Sequence, residues 1–367
     1  MRPCLGAFFQ VGGARALEPV LRDLDAGGGL ALWAREPALG HLRARGFAAD
    51  PVTAAGIRDA AFGRYGLVLT DTINMARSPD GPLLGRVWEA ARAAGAPTLA
   101  FVDSWWGYDN RFADPGEGGR SILPDVIAVV DETARQGMLG AGHGAGSLRI
   151  LGSPHLDALR AMRPRAGERG GRFRARQGLD GECACLFVSQ PLERALPGGA
   201  RDWGFNELTT LAALAAAAAA LPEETRRRFR LLVLPHPEDD AAALARAAAA
   251  APVPCRVLSG EPPLDAVCGA DLVCGMFSML LTEAALLGRV VLSVQLGLKR
   301  EDMLVTNMVG ATRCARTPEE LAEMLRDLAC DPACRRAALD AQERFAVVGD
   351  SRTRWADQLR IMRTGRP

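Results

Sequence analysis

DLVCGMFSMLLTEAALLG, residues 271–288, reads as a strand, a tight turn and a helix in one short span. The apolar run ends at Cys274, Gly275 opens the turn, and Ser278 stands at the N-cap position of a helix over 279–287. Unpaired N–H groups at such a helix start face outward and favour an anion. Glu283 follows within the next turn and a half. The spacing suggests a diphosphate on the helix start and a carboxylate reaching sugar or ribose hydroxyls. Phe277 is counted with this site, although Met276, Phe277, Met279 and Leu280 are expected mainly to pack.

Strand-like and helix-like segments alternate outward from this stretch. Strands are expected at 4–9, 28–34, 66–70, 97–102, 126–130 and 148–151, then at 183–188, 230–234, 255–258, 271–274 and 290–294. Helices are expected between them, from Ala14, near 37–45, at 82–94, from Glu132, at 205–220 and at 238–250. Three more follow, at 317–329, 331–345 and 351–363. The strands are short continuous apolar runs, the mark of parallel sheets covered on both faces. The fold class is therefore α/β, doubly wound. A chain of 367 residues exceeds one ordinary core, so two domains are expected. The alternation breaks at 163–180, which holds six arginines and four glycines and reads as an exposed linker. The layout is a Rossmann-like domain over 1–163, a basic linker over 164–180, a second Rossmann-like domain over 181–345, and a C-terminal helix within 346–367 that packs back on the first domain.

Composition narrows the function. At 49% apolar, 24% charged and net charge +1, the chain is globular and offers no whole-chain attraction for nucleic acid. No apolar run reaches the ~20 residues of a membrane helix. The apolar start, MRPCLGAFFQVGG, runs into glycines without a cleavage site and reads as a first strand. Nine cysteines without a C-x-x-C fit reduced core thiols in a cytoplasmic protein. The basic linker is compatible with peripheral association at anionic lipid; a solvated loop is the plainer reading. Oligomeric state is not legible.

Open α/β sheets bind ligands beyond their strand C-termini, so the residues there carry the functional reading. In LLVLPHPEDD (231–240), His236 ends a strand between two prolines that hold it rigidly; its ring can donate to a phosphate oxygen or act as an acid. Ser189 and Gln190, in FVSQPLE, could hydrogen-bond a ligand, and VQLGLKRED adds Gln295, Lys299 and Arg300. In FVDSWWGYDNRF (101–112), Asp103 sits where a general base could reach a cleft, with Trp105, Trp106, Tyr108 and Arg111 behind it. Such aromatics suit stacking on a sugar or base and the arginine suits an anion; a loop anchored by its own aromatics is the alternative. Gly12 and Gly13, in VGGARA, let a ligand approach a helix start or simply make a tight turn. LGSPHLDAL (151–159) reads as a structural turn, with His155 on the helix surface.

The pattern resembles the GT-B-type group that includes bacterial nucleotide-sugar transferases, CDP-glycerol glycerophosphotransferases and UDP-N-acetylglucosamine 2-epimerases. The resemblance rests on the turn Gly152-Ser153-Pro154 with Asp157, the strand ending in His236-Pro237, and G-x-x-S-x-x-x-x-E-A-x-x-x-G from Gly275 to Gly288. PDVIAVVDETARQGM (124–138) and GDSRTRWADQL (349–359) add to it. It implies two Rossmann-like domains facing across a cleft, with a nucleotide-activated donor held mainly by the second. His236 would contact the donor diphosphate, Gly275 and Ser278 would form the phosphate-facing turn, Glu283 would bind donor hydroxyls, and Asp103 would face the acceptor. No metal or cofactor is implied, and no D-x-D in a suitable context or His/Cys cluster at metal spacing occurs. The 2-epimerases carry an Arg-Glu-Asn-type run after their histidine and a Glu-Ala-Gly-Leu-Arg-type run at the aromatic loop. Here those places read HPEDD and VDSWWGY. Transfer to a surface-glycan, lipid-linked or protein acceptor therefore ranks first, with Asp103 and His236 as catalytic residues. Epimerisation or hydrolysis of the donor alone, and non-catalytic binding of a nucleotide sugar or CDP-alditol, stay open.

Overall fold

The computed structural model describes residues 2–75, 78–113, 122–195 and 198–364. The chain divides into two compact units, residues 1–158 with 347–367, and residues 159–346.

The first unit is built on seven strands. These are β1 Cys4–Phe8, β2 Leu30–Ala34, β3 Ala49–Pro51, β4 Leu67–Asp71, β5 Thr98–Val102, β6 Val126–Val129 and β7 Leu148–Ile150. They form one parallel sheet ordered β3-β2-β1-β4-β5-β6-β7. β1, β4 and β5 are buried along their whole length, which is why their sequences are continuous apolar runs. The helices that position functional side chains are α1 Val11–Ala26, α2 Ala38–Ala44, α3 Glu132–Gly140 and α4 Pro154–Met162.

The C-terminal helix, Ser351–Thr364, belongs to this unit. Its Trp355 is fully buried, edge-on to Phe101, and donates its indole N–H to the Gly152 carbonyl at 3.0 Å. The Ser351 N–H donates to Asp157 Oδ2 at 2.8 Å. Gly152 has φ +79°, and a Cβ there would lie 2.1 Å from Ser351 Oγ, so only glycine fits. The LGSPHLDAL turn is thus the seat of the last helix.

The second unit has β8 Cys183–Val188, β9 Phe229–Leu234, β10 Cys255–Val257, β11 Leu272–Gly275, β12 Val290–Val294 and β13 Arg313–Ala315. Its parallel sheet is ordered β10-β9-β8-β11-β12-β13. Its core centres on Phe187, Phe229, Leu231, Val233, Leu272 and Leu292. Helices used below are α5 Ala166–Gln177, α6 Glu207–Ala219, α7 Ala241–Ala249, α8 Pro263–Gly269 and α9 Met279–Leu286. In both sheets the strand order reverses beside the first strand, at β1/β4 and at β8/β11; such reversals open a crevice at the strand C-termini.

The stretch 163–180, expected as an exposed linker, is mostly the helix α5. Its Gly170 meets α8 so closely that a Cβ would lie 2.1 Å from the Cys268 carbonyl oxygen. Phe173, fully buried, lies against Gly269. Arg169 pairs with Asp265, Arg174 with Asp271 at 3.0 Å, and Arg176 with Glu261 and Asp265 at 2.9 and 3.0 Å. Those three arginines pair with carboxylates of their own unit. No helix among the described residues is long and apolar enough to cross a membrane.

Candidate functional site

The β8/β11 reversal gathers the donor-side residues of the second unit. β11 ends at Gly275, where a Cβ would lie 2.9 Å from the Val188 carbonyl oxygen on the neighbouring strand; a glycine lets the two backbones pack. The turn that follows is held from both sides. Gln190 Oε1 accepts the Phe277 N–H at 2.9 Å, and Ser293 Oγ donates to the Met276 carbonyl at 2.7 Å. Ser278 N-caps α9, its Oγ accepting the Leu280 N–H at 3.3 Å. Glu283 is buried on the same helix. Ser189 continues β8; it is buried, and its hydroxyl has no hydrogen-bond partner among the described residues. An orphaned buried hydroxyl at a strand end calls for an explanation, and a ligand is one.

His236 continues the adjacent strand β9 and is exposed. Its backbone N–H donates to Asp239 Oδ2 at 2.7 Å, and its Nδ1 accepts the Glu238 N–H at 3.2 Å. With Nδ1 occupied as an acceptor, the neutral ring carries its proton on Nε2, which is left to donate. Asp240 caps α7, accepting the Ala243 N–H at 2.9 Å, so the histidine is not the cap.

Two donor-side expectations are corrected. Gln295 is fully buried, and its amide donates to the Met276 carbonyl, Ser293 Oγ and Asp302 while its oxygen accepts from Arg316. It braces the turn from behind and faces no ligand. Asp302 and Arg316, which pair at 2.6 Å, complete this brace and were not singled out from sequence. The Phe277 ring is buried against Trp203 and Phe205, so only its backbone N–H shapes the turn. Lys299 and Arg300 bond the Arg201 carbonyl and Asp202.

The β1/β4 reversal in the first unit is chemically different. Asp71, the last residue of β4, is fully buried and accepts the Phe9 N–H at 3.0 and 3.1 Å and the Gln10 N–H at 2.7 Å. A Cβ on Gly13 would lie 2.3 Å from Asp71 Cβ, and one on Gly12 would lie 3.0 Å from Asp103 Oδ2. The two glycines, read as room for a ligand, make room for these two aspartates. The α1 start faces these carboxylates, which fits the tight-turn reading of the two glycines. Burial raises the pKa of Asp71 well above its ordinary value, against its N–H bonds and with help from Asp103. Burial also raises Asp103, with Arg111 and Arg15 opposing. A raised carboxyl pKa moves toward the range a general base needs.

The aromatic loop is largely its own anchor. Trp105 is buried and donates its indole N–H to Asp131 Oδ2 at 2.7 Å. Arg111 is buried and bonds Thr72 Oγ1 at 2.8 Å, the Trp106 carbonyl and Ser104 Oγ. Tyr108 lies on α3, where a Cβ at Gly137 would be 2.1 Å from its ring. Trp105 and Arg111 are therefore corrected from ligand-facing to structural. Trp106, 40% exposed beneath the Arg111 guanidinium, is the ring left for stacking. Asp71 and Arg15 were not singled out from sequence; the threonine-rich LVLTDT gave no sign that its aspartate turns inward.

Among the described residues no group of three or more His, Cys, Asp or Glu is placed to hold a metal ion. No family model and no curated protein matches the sequence. Solved structures do. The UDP-GlcNAc 2-epimerase of Neisseria meningitidis, bound to UDP-GlcNAc, is 12% identical, with TM-score 0.69 over 97% of this chain and 99% of that one. HepE of Anabaena, in complex with UDP-glucose, is 13% identical, with TM-score 0.62 over 97% and 99%. A glycosyltransferase of Rickettsia africae is 10% identical, with TM-score 0.65 over 99% of both chains. The fold is GT-B-like. That confirms the expected fold class, and the GT-B-like fold is shared by transferases and epimerases alike.

Proposed function

We propose that this chain is a GT-B-type transferase that moves a sugar or related group from a nucleotide-diphosphate donor to an acceptor hydroxyl. One observation carries the reading: the β8/β11 edge combines a braced glycine turn, a capped helix start, the His236 Nε2–H and the unpartnered Ser189 hydroxyl. Backbone N–H groups and an imidazole N–H suit the charge that builds on a departing diphosphate. The bound UDP-glucose and UDP-GlcNAc of the structural neighbours support a nucleotide sugar as donor. Asp103, raised by burial in the first unit, is the proposed base that takes the acceptor proton. The acceptor is a surface glycan, lipid-linked glycan or protein.

A thermal-shift screen of UDP, CDP and GDP with their monophosphates tests the donor reading. A diphosphate should raise the melting temperature by linkage, and His236→Ala and Ser278→Ala should blunt the rise. If no nucleotide shifts wild type, the reading is lost. Because helix N–H groups and His236 are proposed to neutralise the diphosphate, turnover should survive chelation by EDTA.

The Asp71–Asp103 neighbourhood favours a second reading, epimerisation of the donor alone, since taking a proton off carbon needs a base and returning one needs an acid, and two carboxyls can share those roles. The N–H bonds that occupy Asp71 weigh against it. Incorporation of solvent deuterium into recovered donor, without an acceptor, would replace the first reading with this one.

A further inference from the structure

The first unit holds a cavity of about 340 Å³ that the donor reading does not use. Arg15, Glu18 and Arg22 line it from one face of α1, at the three- and four-residue spacing that aligns side chains on a helix. Arg45, just after α2, His155 on α4 and Arg352 on the C-terminal helix complete it, with Pro19 and Ala158 as aliphatic wall.

The charges do not balance. Glu18 accepts from Arg22 at 2.9 Å and from Arg45 at 3.0 Å, one carboxylate between two guanidiniums. Burial works against ionisation of Glu18, but the hydrogen bonds from Arg45 and Arg22 outweigh it and hold its pKa below the ordinary value. Asp23 grips Arg352 with both oxygens. Arg15 is half-buried and feels Asp103, whose stronger cationic neighbour is Arg111. Arg22, Arg45 and Arg352 against Glu18 and Asp23 leave a positive charge at the cavity, and Arg15 is a further cation on its wall. His155 adds none: burial, with Arg15, pushes its pKa down to about 3, so it is a neutral polar group there and not the helix-surface residue expected.

A phosphate monoester carries about −1.5 to −2 at neutral pH and offers oxygens that guanidinium forks match. The volume exceeds what a bare phosphate fills and falls in the range of small-molecule sites, roughly 300–1,000 Å³. The arginine side chains of these pairs are 49%, 54% and 66% exposed for Arg22, Arg45 and Arg352, so a dianion entering the cavity can reach the guanidiniums and compete with Glu18 and Asp23 for them.

We propose that this cavity binds the phosphate monoester of a small polyol or sugar, with Arg22, Arg45 and Arg352 gripping the phosphate and the Pro19 side receiving the carbon skeleton. The site stands independently of the donor reading, since all its residues lie in the first unit. The ligand is either a free metabolite or the phosphate of an acceptor; the chemistry is the same.

Calorimetric titration of the full chain with glycerol 3-phosphate, at low salt, tests it, with glycerol and UDP titrated in parallel. Glycerol 3-phosphate should bind at one site with Kd below about 1 mM, glycerol should give no heat, and affinity should fall as salt rises. Arg22→Gln with Arg45→Gln should weaken it at least about tenfold and leave UDP binding unchanged. Should that double variant fold poorly, Glu18→Gln, which removes a negative charge from the wall, should tighten binding. No heat on wild type up to about 10 mM overturns the proposal, as does equal affinity in the double variant or weaker binding in Glu18→Gln. Under turnover, competition with the acceptor marks the acceptor as the source; a change in kcat alone marks a free metabolite. Binding of glycerol 3-phosphate, with UDP, CDP and GDP all silent in the thermal screen, would sink the donor reading and keep this one.

Discussion

Where the strand order reverses in the first unit, the chain places Asp71 and Asp103 against Gly13 and Gly12 and closes the crevice with carboxylates. Where it reverses in the second unit, the chain places Gly275, the Ser278 cap and the Ser189 hydroxyl. The same topology thus yields one edge rich in carboxyl groups and one rich in hydrogen-bond donors. Strand order sets where a ligand can sit, and side chains set which charge is welcome there. The proposed diphosphate fits the second edge, and the first, with two carboxyls raised by burial, fits the proposed proton-accepting role instead.

The largest effect expected from breaking this contrast lies at Asp103. Asp103→Asn should lower kcat by roughly 10²–10⁴-fold, the usual worth of a general base, with donor affinity unchanged in calorimetry. A variant at full speed would mean the anionic edge does no chemistry. On the other edge, His236→Ala should act mainly on the donor, weakening it by about tenfold, near 1.4 kcal/mol. If instead His236→Ala spared binding and removed kcat, the two edges would have to exchange roles.

The two glycine positions sharpen the contrast in stability. A Cβ at Gly13 meets Asp71 Cβ at 2.3 Å, deep in a packed edge, so Gly13→Ala should destabilise by about 1–3 kcal/mol as overpacking does. A Cβ at Gly275 meets the Val188 carbonyl at 2.9 Å, at the turn proposed to receive the donor. Gly275→Ala should cost less melting temperature and more nucleotide affinity. Chemical denaturation and nucleotide titration of both variants separate these outcomes.

The strands were legible because each is an apolar run bounded by turn residues, and a parallel sheet buries such runs completely. β3 and β13 were missed because Ala49-Asp50-Pro51 and Arg313-Cys314-Ala315 hold no large aliphatic residue. The turn at Gly275–Ser278 was legible because glycine and an N-cap serine have local geometric reasons. Whether a polar side chain points at a ligand or braces a neighbour is decided by partners far away in sequence. Gln295 meets Arg316, Trp105 meets Asp131, and Asp71 meets Phe9. The Gly/Arg-rich α5 misled for a related reason. Its inward face is only Ala166, Gly170 and Phe173, so its composition is that of a solvated loop.

The last effect is a matter of pH. Burial raises Asp71 well above the ordinary 3.8, with Asp103 adding to it. In the unfolded chain the group ionises near 3.8, so above that value the folded state holds the extra proton. Its contribution to stability is therefore full below about pH 4 and is lost as pH rises toward the folded value, by about 1.4 kcal/mol for each pH unit crossed. Asp103 works in the same direction. Asp71→Asn removes one of these titrations, so its melting temperature should fall less than wild type between about pH 4 and 7. Ser189→Ala, at the other reversal, removes an uncharged hydroxyl and should leave the wild-type slope intact. Parallel slopes for wild type and Asp71→Asn would mean that Asp71 is ionised in the folded edge and that its N–H bonds outweigh burial. The first crevice would then hold a full negative charge, and its contrast with the second would be stronger than drawn here.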